Sequence, residues 1–253
     1  MKLTIITVVK NDSKNILNTI ESIKGQNFFD YEYLIVDGNS NDGTTEIIQN
    51  EIKDFKNFFH IIREDKNLYD ALNHGIEISN GDYIALLHSG DTFLNNGILN
   101  LISKKIHGLD VLSGKVIYKN KSKVTRYWNY RLKKLSKFNA FKIAHTSLVL
   151  KKKIINEIGN YNTNYDISSD TDFILRLSLK NNLKYKFVDQ VLISMKDSGL
   201  SSSRDNFIKK ASEDFKIYKN FFGNKFIIFY ISKIIYKLFK LIEWKVFSKN
   251  IYK

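Results

Sequence analysis

Ile35-Val36-Asp37-Gly38-Asn39-Ser40-Asn41-Asp42-Gly43-Thr44 is the stretch on which the fold turns. A short β-branched run stops abruptly at carboxylates, glycines and small polar residues. A second segment, Tyr83-Ile84-Ala85-Leu86-Leu87-His88-Ser89-Gly90-Asp91, behaves in the same way. In an open α/β sheet the ligand crevice lies outside the carboxyl ends of the strands. Two carboxylate-bearing strand ends in one sheet therefore point to a site for a polar ligand together with a divalent cation.

The surrounding pattern alternates. Leu3–Val9 reads as a central strand buried on both faces. Residues 12–24 place Ile16, Leu17, Ile20 and Ile23 at helical spacing, with Asp12 or Ser13 as the cap. Further strands are expected at 33–36, 58–62, 83–87 and 111–116, with helices at 44–52, 68–79 and 95–106 between them. This βαβαβαβαβ order predicts a mostly parallel sheet covered by helices on both faces. Beyond residue 116 the pattern loosens. A basic, aromatic stretch (119–142) precedes a short strand at 146–150, helices at 151–158 and 171–180, and an amphipathic helix at 204–222.

The formal charge is +14 over 253 residues, but it is uneven. Residues 1–110 carry 10 basic and 16 acidic side chains, whereas residues 111–156 carry 13 basic and none acidic. The first half therefore suits a cation and its ligand, and the second an anionic partner such as a diphosphate or lipid headgroups. Cysteine is absent, which excludes disulfides and thiolate metal sites and is compatible with a reducing compartment. The apolar start Leu3–Val9 is too short for a signal peptide, and no run reaches the roughly 18 apolar residues of a spanning helix. In the tail, Lys233, Lys237 and Lys240 recur along one helical face with apolar residues over the rest, and Tyr230 and Trp244 suit a headgroup boundary. That predicts a helix lying in a membrane surface.

Five blocks in order resemble family 2 glycosyltransferases, inverting enzymes of the GT-A nucleotide-diphospho-sugar fold. Thr7-Val8-Val9-Lys10-Asn11 resembles the first-strand motif. Asp37–Thr44 is similar to a VD-x-x-S-x-DGT block. Asp65-x-x-x-Tyr69-Asp70-Ala71-Leu72-Asn73-x-Gly75 resembles the segment after the third strand. Gly81-Asp82 with His88-Ser89-Gly90-Asp91 resembles the metal-motif strand. Ser169-Asp170-Thr171-Asp172-Phe173 with Arg176 resembles ED-x-D-x-x-x-R. The resemblance runs from residue 3 to about 203 and implies a GT-A catalytic domain over 1–203, with a nucleotide-sugar half (1–116) and an acceptor half (117–203); the tail pattern adds a helical membrane-surface segment (204–253).

It also implies roles. Donor contacts are expected from Thr7, Asn11, Asp37, Asp70, Asn73, His88, Asp91 and Lys196. Asp91 would hold a divalent cation, Mn²⁺ or Mg²⁺, although Gly90 stands where many members have a further Asp. Asp170 is expected as the general base, because an inverting displacement needs one carboxylate opposite the leaving group. Asp172 is its rival, and His145 and Asp172 are candidate acceptor contacts. Ser198-Gly199-Leu200-Ser201-Ser202 resembles a segment closing over the diphosphate. The implied reaction moves a sugar, from a UDP-sugar foremost, to a glycan or lipid-linked acceptor in cell-surface polysaccharide or lipopolysaccharide biosynthesis. The implied place is the cytoplasmic face of the cell membrane, against an anionic surface.

Two other classes compete. A nucleotidyltransferase would favour a glycine-rich basic loop after the first strand, and Thr7–Asn11 contains no glycine. A nucleic-acid-binding module would account for the basic stretch 115–142 but not for Asp37, Asp91 and Asp170, so no nucleic acid is expected. A catalytically silent relative is a further reading, because Gly90 weakens the metal motif.

Overall fold

Leu3–Val9 forms β1, and all seven residues are buried. Its side chains alternate between two cores, as the pleat requires. Ile6 and Val8 face one cluster; Leu3, Ile5 and Val9 face the other. The computed structural model describes residues 2–120, 123–197 and 204–251. In it β1 lies between β2 (Tyr31–Asp37) and β4 (Tyr83–Leu86), parallel to both, and β3 (Phe58–Ile62) adds in parallel outside β2.

Helices α1 (Ile16–Lys24), α2 (Thr44–Ile52) and α3 (Leu68–Ile78) make the crossovers. Both α1 and α2, with the later α4 (Ile98–Lys105), bury their isoleucines and leucines on one face, and α3 covers the other. At Gly75 a Cβ would lie 2.8 Å from Ile6 Cγ2, so α3 seats against β1 more closely than any larger residue would allow.

The expected strand after α4 is β6 (Val111–Asn120). It runs in the same direction as β1–β4 but is not the neighbour of β4. The short β8 (Val149–Lys151) inserts antiparallel between them. The long β9 (Tyr185–Lys196) then pairs parallel to β6, β5 (Thr92–Phe93) pairs antiparallel to β9 at the edge, and β7 (Lys123–Trp128) folds back on the far end of β6. The sheet is thus mostly parallel, with three reversed strands, β5, β7 and β8, all on the side of the sheet beyond β4. Helices α5 (Lys152–Ile158) and α6 (Ser169–Leu179) cover this half. The expected cap of α1 is corrected. Asn15 is the N-cap without a side-chain bond, while the Asp12 carbonyl accepts from the Asn15 and Ile16 N–H groups.

The tail is a helical hairpin, α7 (Arg204–Phe222) and α8 (Phe226–Ile251), joined by a 3-10 turn. Phe222 and Phe229 stack at 3.9 Å, fixing the two helices to each other. The lysine stripe of α8 faces inward, and Lys233 is 5% exposed. Its apolar face points outward, with Ile228 67%, Ile235 61% and Phe239 59% exposed. Tyr230 is not at an outer boundary; its hydroxyl donates to the Ala211 carbonyl at 3.2 Å. The Trp244 side chain and the 198–202 segment lie outside what is described. Among the described residues no helix is long and apolar enough to cross a membrane.

Candidate functional site

Asp37 ends β2 and is fully buried. Its Oδ1 accepts from the Ser40 N–H at 3.0 Å and the Ser40 hydroxyl at 2.6 Å, its Oδ2 accepts from the Thr45 hydroxyl at 2.6 Å, and His60 Nε2 lies 3.4 Å away. Both oxygens are engaged in folding the 38–45 loop. Asp42 caps the same loop. Its carboxylate accepts from Thr44 and from the Ser13 N–H, and these bonds, Thr44 first, hold it down to about 2. Asn11, at φ 52, accepts from the Asn41 N–H at 2.9 Å and donates its own N–H to Ser40 Oγ at 2.8 Å. Asparagine tolerates this left-handed backbone better than most residues.

Thr7 lies beneath the crevice, its hydroxyl donating to the Leu87 carbonyl and accepting from Tyr33 at 2.9 Å. Of the residues expected at the donor, Thr7, Asn11 and Asp37 therefore build the frame of the crevice. The Asn73 amide is likewise engaged, exchanging two hydrogen bonds with the Tyr161 backbone, at 2.8 and 2.9 Å. Asp70 accepts from the Lys66 N–H at 3.1 Å and lies 3.7 Å from Arg63.

Asp91 is different. It follows Gly90, whose φ of +86 turns the chain back after β4. Its Oδ1 accepts from the Lys196 N–H at 3.0 Å, while its Oδ2 is buried with no partner. Burial first, and then the nearby Asp12 charge, push its carboxyl up to about 7 against the opposing pull of Lys196. An unpaired buried carboxylate oxygen is costly. A hard cation with oxygen ligands would complete it. Among the described residues no group of three or more His, Asp or Glu side chains is placed to hold a metal. The residues thus fit a cation held by Asp91 and by the ligand's own oxygens.

Asp170 sits in the first turn of α6, where a negative charge is favoured. Its Oδ2 is 3.4 Å from His145 Nδ1, and His145 Nε2 is 3.0 Å from His88 Nε2. His88 is neutral, its pKa depressed to about 3 by burial first and by His145 second. Burial alone would raise Asp170. Lys210, His145 and Lys233 outweigh it and hold the carboxyl well below the usual range. Asp172 turns away and pairs with Arg176 at 2.9 Å, which in turn donates to the carbonyls of Ile158, Gly159 and Asn160. Asp172 thereby braces the 158–160 turn through Arg176.

The structure thus brings Asp91, Lys196, His88, His145 and Asp170 to one edge of the sheet. Tyr118 registers the convergence: burial first, then the charges of both Asp91 and Asp170, raise its hydroxyl. Beside Asp170 opens a cavity of about 310 Å³ whose walls include Arg126, Trp128, Phe141, Lys210, Lys233 and Lys237. Sequence reasoning gave this wall only in part. The basic, aromatic stretch expected to face an anion supplies Arg126, Trp128 and Phe141, whereas the lysine periodicity of α8 reads outward unless the packing is known.

The glycosyl transferase family 2 model matches residues 4–169. An uncharacterized glycosyltransferase of Mycobacterium tuberculosis is 25% identical over 194 residues, covering 70% of this chain and 69% of that protein. A PGL/p-HBAD biosynthesis glycosyltransferase of Mycobacterium bovis is 26% identical over 191 residues, covering 71% of each. S. aureus TarS 1-349 in complex with UDP-GlcNAc superposes with a TM-score of 0.70 at 18% identity, over 87% of this chain and 67% of that one. The mannosyltransferase PcManGT from Pyrobaculum calidifontis, in complex with GDP-Man and Mn²⁺, gives 0.64 at 14% identity, over 86% of this chain and 63% of that one. The chain spans 39% of the longer TarS chain. These structural likenesses carry the GT-A fold. With the family model covering well over half of its length, the chain belongs to glycosyl transferase family 2.

Proposed function

We propose that the chain transfers a sugar, with inversion, from a nucleotide-diphospho-sugar to a glycan or lipid-linked acceptor in cell-surface polysaccharide biosynthesis. The observation that carries the reading is the pairing, at one sheet edge, of Asp91 with an orphaned oxygen and Asp170 beside a cavity. UDP is the favoured nucleotide, supported by the neighbouring TarS structures with UDP-GlcNAc and UDP. The Asp91 side takes the diphosphate, with Lys196 at the end of β9 next to it. A divalent cation bound there, as Mn²⁺ is in the mannosyltransferase structure, would neutralise charge developing on the leaving diphosphate.

Asp170 accepts the proton of the acceptor hydroxyl. That oxygen forms the new bond to the anomeric carbon, and the old carbon–oxygen bond breaks with its electron pair leaving on the nucleoside diphosphate. His145 and His88 hold the Asp170 carboxylate in place. A screen of nucleotide sugars by thermal shift, with and without Mn²⁺, identifies the donor, because a ligand that binds only the folded state raises apparent stability. Asp170→Asn should retain that shift and lose about 10²–10³-fold in transfer; full transfer by the variant refutes the base.

The outward face of α8 supports peripheral attachment to the cytoplasmic membrane face through Ile228, Ile235 and Phe239. The doubly substituted Ile235→Glu, Phe239→Glu chain should fail to co-sediment with lipid vesicles; unchanged sedimentation rejects the attachment.

A further inference from the structure

The cavity beside Asp170 is built from cations. Arg126, Lys210, Lys233, Lys237 and Lys240 line it, and among the described residues Asp170 is the one carboxylate that does. Two carboxylates behind the wall offset part of this charge. Asp214 pairs with Lys233 at 2.7 Å, and Asp197 lies 3.5 Å from Arg126. Glu213, also nearby, accepts the N–H groups of Asp166, Ile167 and Ser168 at 2.8–3.0 Å, and its charge acts on Lys210 as well. Among the described residues, the charged side chains that line the cavity are therefore predominantly cationic.

The helix that delivers these lysines is inverted. Ordinary surface helices bury apolar side chains and expose lysines. Here α8 buries Lys233 at 5% exposure and leaves Ile235 and Phe239 more than half exposed. Burying ammonium groups is costly unless an anion meets them, as Asp214 does for Lys233. The rest of the lining is aromatic and aliphatic, with Trp128, Phe141 and Ile174 suited to the face of a sugar ring. About 310 Å³ is at the small end of ligand cavities, enough for a phosphorylated sugar. Neither Asp91 nor Lys196 lines it, so it is separate from the side assigned to the donor diphosphate.

We propose that this cavity is an acceptor subsite for a sugar carrying a phosphate or diphosphate, with Arg126, Lys210, Lys233 and Lys237 holding the anion and the sugar hydroxyl presented to Asp170. The proposal rests on the reading of Asp170 as the base, and it adds an acceptor class and a means of activation. Lys210 and Lys233 help hold the free Asp170 carboxyl well below the usual range, where it is a poor proton acceptor. Burial and the neighbouring Lys233 push Lys237 down to about 8. An acceptor phosphate seated among these lysines cancels their field and restores basicity to Asp170. The base is then competent only when its substrate is in place.

Calorimetric titration with inorganic pyrophosphate in EDTA tests the subsite, because without a divalent cation the Asp91 side has no metal with which to take a diphosphate. Wild type should bind one pyrophosphate. Lys237→Met should weaken it about tenfold or more, Lys237→Arg should restore it, and Asp91→Asn should leave it unchanged. Undetectable binding, binding insensitive to Lys237→Met, or binding lost in Asp91→Asn overturns the subsite. With turnover as the readout, acceptors lacking phosphate should show a much higher KM, and an equal KM overturns the acceptor class.

A soluble sugar phosphate and the same sugar diphosphate on a long isoprenoid chain separate the two sources. Preference for the long chain that is lost in Ile235→Glu, Phe239→Glu supports a lipid carrier; equal use supports a soluble one. If Asp170→Asn retained transfer, the base would be misassigned, while pyrophosphate binding dependent on Lys237 would still establish the subsite.

Discussion

Two buried carboxylates at opposite ends of the same sheet divide the molecule into framework and site. Glu32 lies near the amino end of β2 and is 1% exposed; Asp91 follows the carboxyl end of β4 and is 4% exposed. Glu32 is fully answered. It accepts from the Thr4 hydroxyl at 2.6 Å and from both the backbone and side-chain amides of Asn80, with Lys2 at 3.6 Å. Although burial opposes it, these partners lower its pKa. Asp91 has a single backbone donor, an orphaned second oxygen and a raised pKa. The sheet satisfies one carboxylate thoroughly and leaves the other short at the carboxyl end of its strands, where an external partner would supply the difference.

The comparison breaks most decisively through Asp91→Asn. Nucleoside diphosphate release should fall about 10²–10³-fold, the scale expected for losing one electrostatic stabiliser of a developing charge. The melting temperature should not fall, because the substitution removes a poorly paired buried charge. Full turnover by this variant would erase the distinction.

Glu32→Ala is the converse. It leaves the Thr4 hydroxyl and the Asn80 amides without their acceptor. The cost should be about 3 kcal/mol of stability in urea unfolding, with kcat unchanged in the folded fraction. A loss of kcat without a loss of stability would make Glu32 part of the site.

The sequence made one half of this contrast readable. The apolar strand runs and the motifs after them mark His88 and Asp91 as lying just past the end of β4, because strand-end chemistry follows from local order. Partner counts do not, because they depend on distant backbone. The donor to Asp91 is Lys196, 105 residues away. Asp37 and Asn73 carry motif resemblance equal to that of Asp91, yet their side chains are occupied by the loop and by Tyr161. The strand β9 escaped prediction because its residues, Tyr185-Lys186-Phe187-Val188-Asp189-Gln190-Val191-Leu192, alternate too weakly to signal a buried ladder. The insertion of β8 between β4 and β6 is a tertiary choice with no local mark. In α8 the period was legible but its direction was not. Helical spacing tells which residues share a face, and the assumption that lysines face outward fails where a cavity needs them.

The smallest expected effect is the most specific to the comparison. The Asp91 carboxyl stands at about 7 in the fold against an ordinary 3.8. Between those values the folded protein holds a proton that the unfolded chain has released, so this group's contribution to stability falls as pH rises from about 4 to about 7. Glu32 has the opposite sign. Lowered from 4.5, it contributes stability above that value and loses it as pH falls through its folded pKa. His88 also opposes Asp91. Held at about 3 against 6.5, it stays neutral in the fold, and its contribution to stability rises with pH across that window. Wild type alone therefore shows only a net slope. The difference between wild type and Asp91→Asn isolates the carboxyl, and the variant should gain on wild type steadily from pH 4 to 7. Saturating Mn²⁺ and nucleoside diphosphate should reverse that trend, because they favour the ionised form. A flat difference curve would mean that Asp91 is already ionised near its ordinary value, and its orphaned oxygen would then need another explanation.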